Sequence, residues 1–211
     1  MRLLIDLILF IVSYGVMRCL NQYIYDLLKL DKKTSSFLFN VSGGCLTVLC
    51  FHKYDFSLTT IIILLIIFLL LVIARIDYLT MNIYLLTIII LCVLVIFYCL
   101  MQKMSLIEIV KGALSVSSIM LFFDIIIPSS FGFGDIELMF VSGMMLGFQK
   151  NILAMIIAIW IGGIYALYMY LFQHCQKKTH IAFAPCLIIG IFISLFYGQD
   201  IIYWYLTFSL F

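Results

Sequence analysis

Residues 58–83 read LTTIIILLIIFLLLVIARIDYLTMNI, and this stretch decides the class of the fold. From Leu58 to Ile76 every residue except Thr59, Thr60 and Arg75 is apolar. A bilayer core takes about 20 apolar residues in helical form, so the run has the length of a membrane crossing. It ends on Arg75 and Asp77, followed by the polar Thr80 and Asn82. Working outward, similar apolar runs occupy 3–20, 37–51, 83–101, 106–127, 136–148, 152–172 and 181–197, those at 37 and 136 being short. A last stretch, 201–211, is too short to cross. The run at 3–20 lacks a small-residue cleavage site, so it reads as a retained helix and not as a signal peptide.

Composition agrees with this. Of 211 residues, 66% are hydrophobic and 10% charged, with a mean hydropathy of +1.28. Soluble domains carry about 25% charged residues, so a soluble globular domain and a disordered tail are both excluded. A net charge of +2 without a long basic run excludes a free-standing nucleic-acid binder. The chain reads as all-α: a polytopic membrane helical bundle of about eight transmembrane helices, one domain over residues 1–211. No internal repeat is visible.

Cytoplasmic loops carry an excess of Lys and Arg. With the N-terminus outside, the inner side holds Arg18, Lys29, Lys32, Lys33, Arg75, Lys177 and Lys178. The outer side holds Arg2, Lys53, Lys103 and Lys150, while Lys111 lies within a span. Without using any motif, this topology puts both Asp77, ending the third run, and Asp135, opening the sixth, at the inner, cytoplasmic face.

The few polar groups can be weighed one by one. The seven cysteines form no C-x-x-C pair, so no zinc site is expected and core packing is the simpler role. Asp26, Asp31 and Asp55 sit in polar loops, Asp6 and Asp200 lie near run ends, and Glu108 can pair with Lys111 one turn on. That leaves Asp77, Asp124, Asp135 and Glu137, and an ionisable residue at membrane depth is a functional candidate by default. Two carboxylates in a partly dry site cannot both ionise easily, so one keeps a proton and the pair can activate a water. Acid proteases use this arrangement for peptide hydrolysis. Gly132 and Gly134 suit a sharp turn into a helix and close approach of a substrate. Asp135 then falls in the first helical turn, where the dipole favours it as the ionised partner. The plainer alternative is a glycine turn with an aspartate cap, and Asp77 paired with Arg75. Gly143 and Gly147 form a G-x-x-x-G whose default reading is close helix packing.

The segment Gly132-Phe133-Gly134-Asp135-Ile136-Glu137-Leu138 resembles the G-x-G-D-x-K-L segment of type IV prepilin peptidases. Ile76-Asp77-Tyr78-Leu79-Thr80-Met81-Asn82-Ile83 resembles their other aspartate motif, and Ile181-Ala182-Phe183-Ala184-Pro185 is similar to their I-P-F-G-P segment. The resemblance implies a GxGD-type membrane aspartyl endopeptidase that removes prepilin leaders at the cytoplasmic face. Asp77 and Asp135 would be its catalytic pair, and Gly132 and Gly134 would shape the loop presenting Asp135. It also implies hydrolysis through a tetrahedral diol, with no metal or other cofactor. The partners implied are prepilin-like substrates with a basic leader and an apolar helix, in the lipid of a prokaryotic inner membrane that the chain crosses several times.

This sequence departs from the family pattern at Glu137 in place of Lys, Tyr84 in place of Pro, and Ala182 and Ala184 in place of Pro and Gly. Glu137 reverses a charge beside Asp135, which makes it a candidate modulator of substrate charge preference. Residues 21–36 hold no cysteine, where many members carry paired C-x-x-C motifs linked to N-methylation, so only the peptidase half is expected. Asp124, just before Pro128, is an additional candidate that can line the same cavity or relay protons. Two rival readings stand beside this one. A small transporter or channel would use Asp124 and Lys111 as an ion path. A presenilin-like GxGD protease would carry Tyr-Asp within a span, which Ile76-Asp77 matches less well.

Overall fold

The computed structural model describes residues 2–29, 36–54, 56–128, 130–172 and 182–208. The basic pairs Lys32–Lys33 and Lys177–Lys178, as well as Asp31, Asp55, Cys175, His174, His180 and Ile181, lie outside the described residues. Among the described residues the secondary structure is all helical: α1 (Arg2–Leu28), α2 (Phe37–Tyr54), α3 (Leu58–Thr80), α4 (Leu85–Met101), α5 (Leu106–Ile126), α6 (Phe133–Leu146), α7 (Phe148–Phe172) and α8 (Ala184–Phe208). Five of these, α1, α3, α5, α7 and α8, are long and apolar enough to cross a membrane; α4 is apolar but shorter. The chain is thus a multi-pass helical membrane bundle.

Local chemistry starts and stops the helices where polar residues interrupt the apolar runs. Ser57 caps α3, its hydroxyl accepting from the Thr60 amide at 3.2 Å. Ser105 and Glu108 close a capping box on α5, each accepting the other's backbone N–H at 3.2 Å. Glu108 therefore serves the helix start, where a pairing with Lys111 was expected. Gly147, at φ 77°, ends α6 in a conformation that favours glycine, and α7 begins on the next residue. Gly143 is needed for space instead, because a Cβ there would run into the Gly112 carbonyl of α5. The expected close packing of α6 is therefore made against α5. Without a hydrophobic force between helices in lipid, such small-residue contacts let backbones meet.

The helix α3 is the centre, packed on α1, α2, α4 and α8. Its Ile63, Ile66, Ile67, Leu70 and Ile73 are buried in one apolar cluster that also holds Leu187, Ile188 and Ile191 of α8. The helices α1 and α7 turn most of their apolar surface outward, as lipid-facing helices do. α8 runs antiparallel to α3. It starts beside Asp77, and its Leu195 carbonyl accepts from the Tyr54 hydroxyl, close to where α3 begins. At that far end, Lys53 donates to the Phe196 carbonyl and lies 3.9 Å from Asp200, and His52 lies 3.5 Å from Asp6. These contacts and Asp77 lie at two ends of α3 about 25 Å apart, the rise from Thr60 to Asp77 at about 1.5 Å per residue. The stretch from Ile201, expected to stand apart, continues α8 as far as Phe208.

Candidate active site

Asp77 sits in the last turn of α3 and is buried. The helix ends at Met81, whose N–H returns to the Asp77 carbonyl at 2.7 Å with φ 54°. This tight exit brings Ile83 across the bundle onto Gly134, where an added Cβ would stand 2.7 Å from Ile83 Cβ. The two aspartate segments therefore touch through their backbone-proximal atoms. On the carboxylate side, Asp77 Oδ2 accepts the Ala184 N–H at 3.2 Å. Ala184 opens α8, and its N–H belongs to the first turn, whose amides have no partner within the helix.

Asp135 is half-buried in the first turn of α6, ahead of its apolar run and outside the five long spans. Its N–H bonds the Gly132 carbonyl at 3.0 Å. A Cβ on Gly132 would come within 3.1 Å of Asp135 Oδ2, so glycine there leaves room for the carboxylate. Neither Gly132 nor Gly134 adopts a left-handed φ. Gly134 is needed for space against Ile83, and Gly132 lies close under the Asp135 carboxylate; neither serves the left-handed turn that the G-x-G pattern suggested. Burial first, and then the charge of Asp77, push the Asp135 carboxyl up to about 7, against a lowering hydrogen bond from the Gly132 backbone. The helix dipole alone would have favoured an ionised Asp135. Burial outweighs it, and the carboxyl keeps its proton to near neutral pH.

The structure thus brings Asp77 and Asp135 into electrostatic contact, with Cys186 of α8 in reach of both charges. Arg75 does not serve as the partner of Asp77; its guanidinium donates to Asn21 and Tyr25 of α1. Glu137 is half-buried two residues beyond Asp135, about 200° round the helix, and so flanks the pair without joining it. Asp124 accepts the Phe131 N–H at 3.4 Å, holding the segment that leads into Gly132. Phe131 packs on Phe183, with ring centroids 6.3 Å apart. Lys111 is exposed and stands about 20 Å along α5 from Asp124.

A cavity of about 400 Å³ is lined by Tyr78, Met81, Tyr165, Pro185, Cys186 and Ile189 among others; neither aspartate lines it, and it adjoins the site through Tyr78, next to Asp77 in the chain, and Cys186. Larger hollows are lined by His52 and Lys53 or by Lys111 and Lys150. Among the described residues no three His, Cys, Asp or Glu side chains converge as a metal-holding set.

The type IV leader peptidase family matches residues 63–167, a stretch containing Asp77, Gly132, Gly134 and Asp135. The chain belongs to this family. No significant match is found among curated proteins or among solved structures. Membership of the leader peptidases implies peptidase activity on prepilin-like substrates. The match stops before α8, so the Ala184 amide lies beyond it. Neither this amide nor the Ile83–Gly134 contact is expected from the residues taken singly. One signal exists for the first: Pro185 after a loop marks the opening turn of a helix, where a free amide awaits an acceptor.

Proposed function

We propose that this leader peptidase is an aspartic endopeptidase, with Asp77 and Asp135 as its catalytic pair. The observation that carries the reading is their convergence from α3 and α6, one buried and the other with its carboxyl raised by burial and by its neighbour's charge. Asp135 holds the proton. Asp77, its oxygen fixed by the Ala184 amide, is the base. A water between them loses a proton to Asp77 and attacks the scissile carbonyl, whose oxygen takes the proton of Asp135. The resulting diol collapses as Asp77 returns a proton to the leaving amine and Asp135 recovers its own from a diol hydroxyl. No bond to the enzyme forms.

The substrate is a prepilin-like protein with a basic leader and an apolar helix, cut at the cytoplasmic face of a prokaryotic inner membrane. The charge-based topology supports that face, and the cavity lined by Tyr78 and Ile189 suits an apolar residue beside the cut. The absence of cysteine from residues 21–36 supports a peptidase without the methylation step. The testing experiment mixes membranes bearing the chain with leader-bearing substrates and reads the products by mass spectrometry. A single cut between the leader and the apolar helix is expected; intact substrate with every leader overturns the reading.

Two further results are expected. The shared proton is lost as pH rises through about 7, so the cleavage rate falls above that value, and it falls again at acid pH once the base Asp77 takes up a proton. Rates measured on either side of neutrality check this, and a rate that climbs steadily with pH contradicts it. Glu137→Lys is expected to weaken the preference for basic leaders several-fold, since Glu137 adds negative charge to the flank of the pair. Competition between leaders of different charge measures it, and an unchanged preference removes Glu137 from substrate selection.

A further inference from the structure

Two residues before Asp77, Arg75 is buried inside the bundle. Its Nε donates to Asn21 Oδ1 at 3.0 Å and its Nη2 to Tyr25 Oη at 2.8 Å. Asn21 in turn donates to Ser36 Oγ at 2.8 Å. The guanidinium also lies 5.7 Å from the ring centroids of Tyr25 and Phe39, and 5.9 Å from that of Tyr78. A guanidinium presents donors in a rigid planar fork, so several partners at once fix its direction. Asn21 and Tyr25 are themselves buried, on a helix that otherwise turns most of its surface to lipid.

Positions two apart on a helix point about 200° away from each other. The last turn of α3 is therefore gripped on opposite sides: α1 holds Arg75 and the α8 amide holds Asp77. Released from α1, α3 is free to roll about its axis. Side chains reach about 5–6 Å from a helix axis, so a roll of about 20° would move a carboxylate about 2 Å. Misplacement by about 1 Å can cost about a hundredfold in rate. We infer that Arg75 is a positioning residue for Asp77, locked in place by Asn21 and Tyr25 from outside the family-matched stretch. The inference rests on Asp77 being a reacting carboxylate.

The test uses the full chain in detergent or membranes with a leader-bearing substrate. Arg75→Lys keeps the charge and loses the fork; Tyr25→Phe keeps the ring and loses one acceptor. Arg75→Lys is expected to lower kcat about ten- to a hundredfold, and Tyr25→Phe to lower it less, each with KM near the wild-type value. The pH profile is expected to shift as well, because the coupling of Asp77 to Asp135 depends on their separation. The other titratable groups beside the pair, Cys186 on α8 and Glu137 on α6, are unchanged in both variants. Wild-type kcat and profile in both variants overturn the inference. So does a lower rate with an unshifted profile that merely follows the amount of folded protein. Asp77→Asn is the control: cleavage at the wild-type rate by that variant would sink the reading of the pair itself, whereas inactive Asp77→Asn beside unaffected Arg75 variants sinks only this inference.

Discussion

Asp77→Asn and Asp135→Asn are each expected to lower leader cleavage by about 10²–10⁴-fold or more, the range that positioned acid–base groups contribute. The substitution is nearly isosteric and keeps an acceptor for the Ala184 amide, so Asp77→Asn retains the hydrogen bond that ties α3 to α8. It removes the one property the mechanism needs, the ability to take and return a proton. The two changes are not expected to add, because a pair that acts on one water is already broken by the first.

Stability separates this outcome from misfolding, and its sign can be worked out. The Asp135 carboxyl is raised from 3.8 to about 7 in the folded protein. A group raised in this way works against folding wherever pH exceeds its unfolded value, because ionisation favours the unfolded chain. Asparagine cannot ionise, so Asp135→Asn is expected to be more stable than wild type at neutral pH, the gain growing as pH rises from 3.8 to about 7 and staying level above. Thermal unfolding in detergent, run beside the cleavage assay, reads both. A variant that is stable and inactive supports the pair. Normal cutting by both single variants would make the aspartates structural.

Much of this arrangement was legible from residues alone, and the reasons are physical. The third helix begins at Leu58, as the apolar run predicts, because Ser57 supplies the cap. Its end was missed by one turn, since Asp77 and Thr80 are polar yet remain helical, the former held by the α8 amide. The same effect carries α1 past the expected Leu20 to Leu28: Asn21 and Tyr25 are buried there by partners on α3 that no local pattern reveals. Gln199 and Asp200 marked an apparent break, but Lys53 answers Asp200 from another helix and α8 continues. That both aspartates share one end of the bundle followed from the charge-based topology. What brings them together there did not, because the Ile83–Gly134 and Ala184–Asp77 contacts join residues far apart in the chain.

The Ile83–Gly134 contact carries the second large prediction. Gly134→Ala is expected to lower cleavage about a hundredfold, on the scale of a misplacement near 1 Å, and to destabilise the fold by about 1–3 kcal/mol through overpacking. The new methyl would stand 2.7 Å from Ile83 Cβ and 3.3 Å from its Cγ1 and Cδ1. The nearest atom is fixed to the backbone, so no rotamer of Ile83 relieves the clash. Either the loop after Met81 or the start of α6 must retreat, and Asp77 lies just before that loop while Asp135 follows Gly134 directly. Ile83→Ala keeps the offending Cβ and is expected not to rescue Gly134→Ala. Ile83→Gly removes it and is expected to restore much of the cleavage, although Ile83→Gly alone lowers activity by loosening the loop. A double-mutant cycle in rate and in thermal midpoint measures the coupling. Rescue by glycine but not by alanine would show that these two backbones must nearly touch for the carboxylates to meet; wild-type activity in Gly134→Ala would show that the pair is set by other contacts.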